Sequence, residues 1–332
     1  FNTIFFYRHD KRIKKYDRRI MNVTTYLKKS KNTLIYLGIV ALIAFLRFLS
    51  RKNAIAFMRS VGSLAFILAS HERKNTIKHL TMAFGKEKTK DQIEQLAKRV
   101  FLNLSVCVAD AIRLPVMVKD GSIDELVTAE GFHHFTNAAD RKKGLIAMTG
   151  HYGNWELLGT WIVRHGYPIK VVAKKSYDPR LDKLIVDYRN QAGYANTARG
   201  SATRSVVDGL MHGETFGLLF DLDTKVKGVF VDFFGKPAHT ATIPVILATK
   251  MNVPIVPIFI RLTPDFNYVI MCREELTLVN TGNEEQDVIT NTQICSNVYE
   301  DMIRKHPEQW IWMHRRWKKK PGDILPGEKP AK

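Results

Sequence analysis

The amino-acid sequence predicts an α/β fold, in which a mixed, largely parallel sheet is flanked by helices and preceded by a helical region. Short apolar runs without strict alternation, typical of strands buried on both faces, occur at 144–149, 169–173, 215–220 and 255–261. Helical patterns fill the intervals between these runs, at 157–163, 181–188 and 243–250. Strands that alternate with helices favour parallel pairing.

The composition is globular but strongly basic. Of the 332 residues, 51 are Lys or Arg and 32 are Asp or Glu, which gives a formal net charge of +19. Such an excess indicates an anionic partner: nucleic acid, an anionic lipid surface or an acidic protein. The 45% hydrophobic content excludes collagen-like, low-complexity and wholly disordered chains. Three widely spaced cysteines form no disulfide framework or zinc-binding spacing, and they favour a reducing, cytoplasm-facing environment.

An apolar run near the amino terminus has basic flanks. Lysines precede residues 33–46, and Arg47 follows them. The run is shorter than the roughly 20 residues of a typical spanning helix. A second apolar run follows at 53–70, and we expect residues 33–70 to form a membrane anchor or interfacial helices. A single span, a monotopic anchor and a pair of buried amphipathic helices all stay open.

The predicted organisation has five parts. They are a basic segment at 1–32, the anchor or interfacial helices at 33–70, a helical region at 71–115, an α/β domain at 116–320 and a basic tail at 321–332. Residues 1–20 precede the first methionine and are given no structural weight, so the true start of translation stays open. Within the helical region we expect Asp91 to cap a helix and Pro115 to end it.

The segment most informative about chemistry runs from His151 to Glu156. It follows a buried-strand pattern and precedes an apolar helix face, and Asn154 is a suitable helix N-cap. If the two side chains meet, His151 lies in the strand-to-helix turn and Glu156 in the first turn of the helix, because helical neighbours are three or four residues apart. A carboxylate on one imidazole nitrogen leaves the other free to accept a proton. A purely structural His–Glu pair is the alternative.

The residues from His151 to Glu156 resemble the His-x4-Asp/Glu motif of the glycerolipid acyltransferases. The chain also resembles the lipid A biosynthesis (lauroyl/myristoyl) acyltransferases within that group. The resemblance extends over 33–320 and is carried by separated blocks at 151–156, 178–182, 220–238, 254–260 and 307–317. It implies a glycerolipid-acyltransferase-like sheet with a membrane-associated helical region in front of it.

The resemblance also implies a reaction, a place and partners. A fatty acyl chain would move from the thioester of acyl carrier protein to a hydroxyl of a lipid A precursor, with His151 as general base and Glu156 orienting it. The expected partners are acyl carrier protein, an anionic lipid acceptor and the inner leaflet, with the catalytic domain on the cytoplasmic side of the cell inner membrane. We expect no cofactor, no metal and no nucleic acid.

Four further residues are candidates for substrate binding. The family carries a basic residue after the His motif, which matches Arg180 or Arg189 here, and Lys174 competes for the same role of binding the acceptor phosphate. The family's Asp between the second and third blocks matches Asp221, for which a capping or turn carboxylate is the alternative. Trp310 belongs to an aromatic and basic terminal block.

Other functions stay open on the sequence alone. The acceptor could instead be a lysophospholipid, a phosphatidylinositol mannoside or an aminolipid. A protein of a different class, a basic membrane-binding or nucleic-acid-binding protein without catalysis, is supported by the charge alone. The acyl chain length and the oligomeric state are not readable from these motifs.

Overall fold

The predicted α/β class is confirmed in a computed structural model, which describes residues 30–173, 178–198 and 202–323. A seven-stranded sheet has the order β1-β9-β8-β2-β5-β3-β4, and β6 and β7 form a separate antiparallel pair. Within the large sheet every pair is parallel except β8 with β9. The strands are β1 Val127–Glu130, β2 Leu145–Thr149, β3 Ile169–Ala173, β4 Ala195–Ala198, β5 Thr215–Leu219, β6 Gly228–Asp232, β7 Pro237–Ala241, β8 Ile255–Leu262 and β9 Tyr268–Cys272.

Helices precede the sheet and cover both of its faces. In the described residues they are α1 Ser30–Phe48, α2 Arg51–Leu68, α3 Ser70–Phe84, α4 Lys90–Asp120, α5 Ser122–Leu126, α6 Phe132–Ala139, α7 Trp155–Arg164, α8 Pro179–Gln191, α9 Ala202–Met211, α10 Ile243–Met251 and α11 Glu284–Lys305. A short 3-10 helix, Pro307–Gln309, follows α11.

Strand β2 shows why the apolar runs lack polar alternation. All five of its residues are buried, and successive side chains point to opposite faces of a sheet. Ile146 and Met148 join one hydrophobic cluster, which includes residues of α3, α4, α10 and α11, whereas Leu145 and Ala147 join a second cluster with residues of α6 and α7. Both faces of β2 are therefore apolar because both are covered.

The helical region differs from the prediction at two places. The N-cap of α4 is Thr89, which forms a capping box with Gln92, so the prediction of Asp91 as the cap is wrong. Pro115 lies inside α4, so the prediction that it ends the helix is also wrong. A proline has no N–H to donate to the carbonyl four residues earlier. That carbonyl, of Ala111, instead accepts a hydrogen bond from the Tyr188 hydroxyl of α8, which satisfies it.

Two described helices are long and apolar enough to cross a membrane, α1 and α4, and α2 with α3 forms a third candidate that is bent by 86°. Only 6% of the apolar window of α1 is buried within the protein, compared with 61% of the window of α4. Helix α4 is therefore a core helix that packs against α2, α3 and α7. The apolar surface of α1 faces outward.

The turn after β2 requires glycine at position 153. Gly153 has a φ of +58°, and a Cβ added there would lie 1.8 Å from the carbonyl oxygen of Ile260. Gly166 has a φ of +88°, but no atom lies within 4 Å of the Cβ that would be added. Substitution at the two positions therefore distinguishes the cost of backbone strain alone from the cost of strain together with a steric clash.

We predict that Gly153→Ala destabilises the protein by about 3 kcal/mol, because both the left-handed backbone and the clash with a neighbouring strand oppose the methyl group. Gly166→Ala should cost only about 1 kcal/mol, since it introduces backbone strain alone. Denaturant unfolding of the two variants measures the difference. Equal destabilisation by both substitutions would contradict the close approach of Gly153 to β8.

Candidate active site

His151 and Asp221 lie together because two neighbouring strands end at the same level. Strand β2 pairs with β5 in parallel, and Thr149 is opposite Leu219 in the register. Each of the two site residues follows its strand by two positions. Their side chains thus meet at the carboxyl edge of the sheet, the edge where open α/β sheets bind their ligands.

The turn that carries His151 is built from small and capping residues. A Cβ on Gly150 would lie 3.1 Å from a carboxylate oxygen of Asp221 and 3.0 Å from the ring of Tyr299, so a larger residue would push on both side chains. Asn154 caps α7, as predicted, by accepting a hydrogen bond from the backbone N–H of Leu157. The helix therefore begins immediately after the turn.

Asp221 holds the imidazole of His151. The Nδ1 atom of His151 lies 2.9 Å from Asp221 Oδ1, and the backbone N–H of His151 donates to Asp221 Oδ2 at 2.8 Å. With the Nδ1 proton donated to the carboxylate, the lone pair of the neutral ring is on Nε2. Nε2 makes no hydrogen bond within the described part of the chain, and 29% of the side chain is exposed. This geometry suits a general base.

Trp310 is the third donor to the Asp221 carboxylate. Its indole Nε1 donates to Asp221 Oδ2 at 2.7 Å, and both residues are only 1% exposed. Burial alone would raise the pKa of Asp221, but the adjacent His151 and the hydrogen bonds from His151 and Trp310 hold it below its usual value of 3.8. Asp221 therefore stays ionised although it is buried.

Glu156 does not orient His151, so that prediction is wrong. Its carboxylate accepts hydrogen bonds from Arg189, at 2.5 Å and 3.1 Å, and from the hydroxyl of Tyr194. No hydrogen bond or ion pair joins Glu156 to His151 in the residues that the structure describes. The reason is the packing of α7 against the end of α8, which places a guanidinium beside the first turn of α7.

The Glu156 cluster contains a second, partly buried charge pair. Burial would raise the pKa of Glu156, but the hydrogen bonds and charge of Arg189, with the Tyr194 hydroxyl, lower it below its usual 4.5. Burial also raises the pKa of Tyr194, as does the negative charge of Glu156. At neutral pH the cluster therefore consists of a carboxylate, a guanidinium and a neutral phenol.

A cavity of about 420 Å³ opens beside these groups. His151, Glu156 and Arg189 lie in its polar part. The remaining wall is largely apolar and comes from β2, β3, β5, α7 and α10, with Leu158, Ile162, Val171, Leu218, Phe220 and Leu247 among its residues. A deep apolar cavity with a few polar groups at one place is the usual form of a small-molecule site.

The other predicted binding residues have different positions. Arg180 forms an ion pair with Asp178, donates to the Thr33 hydroxyl and stacks on the Tyr36 ring of α1. It does not line the cavity, so the structure separates it from His151. Asp221 contacts His151 rather than a substrate space, which corrects its predicted binding role. Lys174 lies outside the described residues.

Two residues of the site were not assigned there by the sequence analysis. Tyr194, which follows the turn after α8, had no motif that marked it. Trp310 was singled out within the terminal block, but its bond to Asp221 was not predicted. The position of Asp221 close to His151 could have been predicted from the sequence, because each residue closely follows a buried-strand pattern.

The described residues contain no group of three or more His, Cys, Asp or Glu side chains that could hold a metal ion. All three cysteines are buried thiols. Burial raises the pKa of both Cys272 and Cys295 to about 12. These two thiols therefore stay protonated, and their chemistry at neutral pH is that of packed apolar groups.

Comparisons with known proteins identify a family. A family model described as "Bacterial lipid A biosynthesis acyltransferase" matches residues 20–319. A phosphatidylinositol mannoside acyltransferase of Mycolicibacterium smegmatis is 24% identical over 212 residues, which are 63% of this chain and 67% of that protein. A similarly named protein of Mycobacterium tuberculosis is 23% identical over 56% of this chain and 58% of its own length. A lipid A biosynthesis acyltransferase of Haemophilus influenzae is 25% identical, over 62% of this chain and 65% of that protein.

We predict that Asp221→Asn reverses the tautomer of His151, whereas Glu156→Gln leaves it unchanged. Two donors, the His151 backbone N–H and the Trp310 indole, require an oxygen at the Oδ2 position. The new amide NH₂ must then face Nδ1, which becomes an acceptor and moves the ring proton to Nε2. The ¹⁵N chemical shifts of the labelled histidine ring report this change. A reversal caused by Glu156→Gln and not by Asp221→Asn would contradict the assignment.

Proposed function

Because the chain belongs to the family of bacterial lipid A biosynthesis acyltransferases, we propose that it transfers a fatty acyl chain from the thioester of acyl carrier protein to a hydroxyl of a lipid A precursor. The observation that carries the proposal is the His151–Asp221 pair at the mouth of an apolar cavity. The pair supplies the base, and the cavity supplies space for an acyl chain.

The proposed reaction proceeds directly from donor to acceptor. Nε2 of His151 removes the proton of the acceptor hydroxyl while its oxygen attacks the thioester carbonyl carbon. The tetrahedral intermediate collapses, the C–S bond breaks, and the imidazolium returns the proton to the leaving thiolate. The products are an ester and a free thiol. Asp221 stabilises the imidazolium, as the carboxylate of a catalytic triad does.

The Glu156 cluster is proposed to form the polar wall against which the acceptor lies. Arg189 has five N–H donors in a planar fork, which suits a phosphate or a carbonyl oxygen. Its bonds to the Glu156 carboxylate fix its direction toward the cavity. Arg189 is therefore the described residue that we assign to the acceptor phosphate, in preference to Arg180.

A membrane location is supported by the surfaces of α1 and α2. Large apolar side chains of both helices are exposed: Leu34, Ile35, Leu37, Val40, Phe45, Phe48, Phe57, Val61, Leu64, Ile67 and Leu68. The Phe45 and Phe57 rings contact each other, with centroids 5.2 Å apart, and so connect the two surfaces. Contiguous apolar surface of this kind is typical of membrane contact. We propose that it inserts into the inner membrane from the cytoplasmic side.

The basic charge fits both proposed substrates. A groove between α2 and α4 is lined by Arg51, Lys52, Arg59 and Lys98, with Asp265 as its carboxylate. Lys52, Arg59 and Lys98 form no ion pair within the described part of the chain. Such cations attract anionic headgroups at about 1 kcal/mol each, and they also attract the acidic carrier protein.

A second candidate acceptor is a phosphatidylinositol mannoside. Relatives in Mycolicibacterium smegmatis and Mycobacterium tuberculosis carry that name. The reaction at His151 would be the same, because this acceptor also presents a sugar hydroxyl close to a phosphate. The two acceptors differ in what the polar wall must recognise.

We predict that the protein releases free thiol from acylated carrier protein in the presence of a lipid A precursor. His151→Ala should lower the rate about a thousandfold, because general-base catalysis is lost. His212→Ala is a matched control, since His212 lies exposed at the end of α9 and bonds only a backbone carbonyl. A His151→Ala rate equal to that of the wild type would overturn the enzymatic proposal.

We also predict that cells without the gene accumulate a lipid A species that lacks one acyl chain, because the acceptor hydroxyl then stays unacylated. Mass spectrometry of extracted lipids measures the difference. Fully acylated lipid A together with an underacylated phosphatidylinositol mannoside would replace the first acceptor with the second. Unchanged populations of both lipids would overturn both candidates.

A further inference from the structure

We propose that three residues of the terminal segment, Trp310, Arg316 and Lys319, which we call the clasp, position Asp221 and thereby hold His151 in its reactive orientation. This inference rests on the proposed function, and it assigns roles to Trp310 and Lys319 as positioning residues. Neither of them lines the main cavity. Three sets of contacts carry the inference: the first two join the clasp to the loop that follows β5, and the third joins it to β7.

The first contact is at Trp310. Asp221 Oδ2 accepts both the indole N–H and the His151 backbone N–H, which leaves Oδ1 for the imidazole. The two donors therefore prevent rotation of the carboxylate away from Nδ1. The indole itself is held by packing, with its ring 4.8 Å from that of Trp312 and 5.7 Å from that of Phe233.

The second contact joins Lys319 to Asp223. Asp223 follows Asp221 by two residues in the same loop. Asp223 has a side chain that is only 2% exposed. It forms an ion pair with Lys319 Nζ and accepts the Lys319 backbone N–H at 3.2 Å. Nζ also donates to the carbonyl of Thr224 at 2.8 Å. A buried carboxylate without this partner would be costly, so Lys319 secures the loop that carries Asp221.

The third contact ties the clasp to β7. Arg316 is 2% exposed, and its guanidinium donates to the carbonyl of His239 and to the hydroxyl of Thr240. Burial lowers the pKa of Arg316 to about 10, which still leaves it charged at neutral pH. The Nδ1 atom of His239 lies 3.1 Å from both Asp223 Oδ1 and Lys319 Nζ. Arg316 thus anchors the clasp to β7, and His239 of that strand in turn contacts Asp223.

These contacts explain why an aromatic and basic block stands so far along the chain from His151. Asp221 and Asp223 are two carboxylates of one loop with buried side chains, and the Arg316 guanidinium is attracted electrostatically to both. Arg316 and Lys319 balance both charges, while Trp310 sets the direction of one. Loss of the Trp310 donor or of the Lys319 charge would leave the fold of the sheet intact but would allow the Asp221 carboxylate to rotate.

The test compares point variants of the full chain in the thiol-release assay. Trp310→Phe keeps an aromatic ring but removes the donor, and Lys319→Met keeps the chain length but removes the charge. We expect each to lower kcat about tenfold with an unchanged KM, because a hydrogen bond to a charged group is lost away from the bound substrate. Lys319→Arg should restore most of the lost rate.

Matched controls come from the same segment. Trp317→Phe removes an indole N–H that has no partner within the described residues. Lys318→Met removes a neighbouring lysine that is exposed. Both controls should keep the wild-type kcat and KM. A fall in their kcat equal to that of Trp310→Phe and Lys319→Met would show general destabilisation and overturn the assignment.

A readout that needs no turnover separates this inference from the proposed function. The ¹⁵N shifts of the His151 ring should show a single Nδ1–H tautomer in the wild type and a mixture in Trp310→Phe and Lys319→Met. A single tautomer and a full kcat in both variants would overturn the clasp while leaving the enzyme intact. An inactive wild type whose variants still show the mixed tautomer would overturn the proposed function and leave the clasp intact. If Trp310→Phe does not fold, the results for Lys319→Met alone test the inference.

Discussion

The hydrogen bond between His151 and Asp221 is the interaction on which the candidate site depends. It joins residues 70 positions apart, and it forms because β2 and β5 are parallel neighbours that end in register. A parallel sheet places the ends of its strands at one edge. The turn after each strand then needs only two residues to bring an imidazole and a carboxylate together. The chemistry proposed for the site follows from this geometry, because the bond occupies Nδ1 and His151 lines the cavity.

The buried carboxylate of Asp221 and the partly buried carboxylate of Glu156 have separate partners, and this division shapes the site. Asp221 is surrounded by donors that fix its direction and has its charge close to His151. Glu156 forms an ion pair with Arg189 and accepts a hydrogen bond from the Tyr194 hydroxyl. Buried charges need such partners to be stable. Consequently one carboxylate is bonded to the proposed base, whereas the other lies in the wall of the cavity.

The helices in front of the sheet combine two kinds of surface. Helix α4 lies in the core and connects the N-terminal region to the sheet, whereas α1 and α2 present apolar side chains outward. A cation-lined groove lies beside them. Soluble monomers rarely expose large apolar patches, so this combination fits a protein that acts at an anionic lipid surface. An enzyme with a lipid acceptor needs its cavity close to such a surface.

Much of the fold was predictable from sequence. The strands at 145–149, 169–173, 215–219 and 255–262 agree with the apolar runs, because a strand buried on both faces needs no polar alternation. The N-cap at Asn154 was also predicted. Pro115 was misjudged, because the Tyr188 hydroxyl that satisfies the carbonyl of Ala111 comes from a distant helix.

The candidate site was likewise predictable from sequence only in part. Local spacing identified His151 and its strand-to-helix turn, since backbone sterics and helix capping act within a few residues. The partner of His151 was a tertiary decision: Glu156 is five residues away, yet the packing of α7 and α8 pairs it with Arg189. Asp221 and Trp310 reach the imidazole through strand order and the path of the terminal segment. Sequence alone therefore determined which residue types and turns the chain contains, whereas tertiary packing decided which buried charge meets which donor.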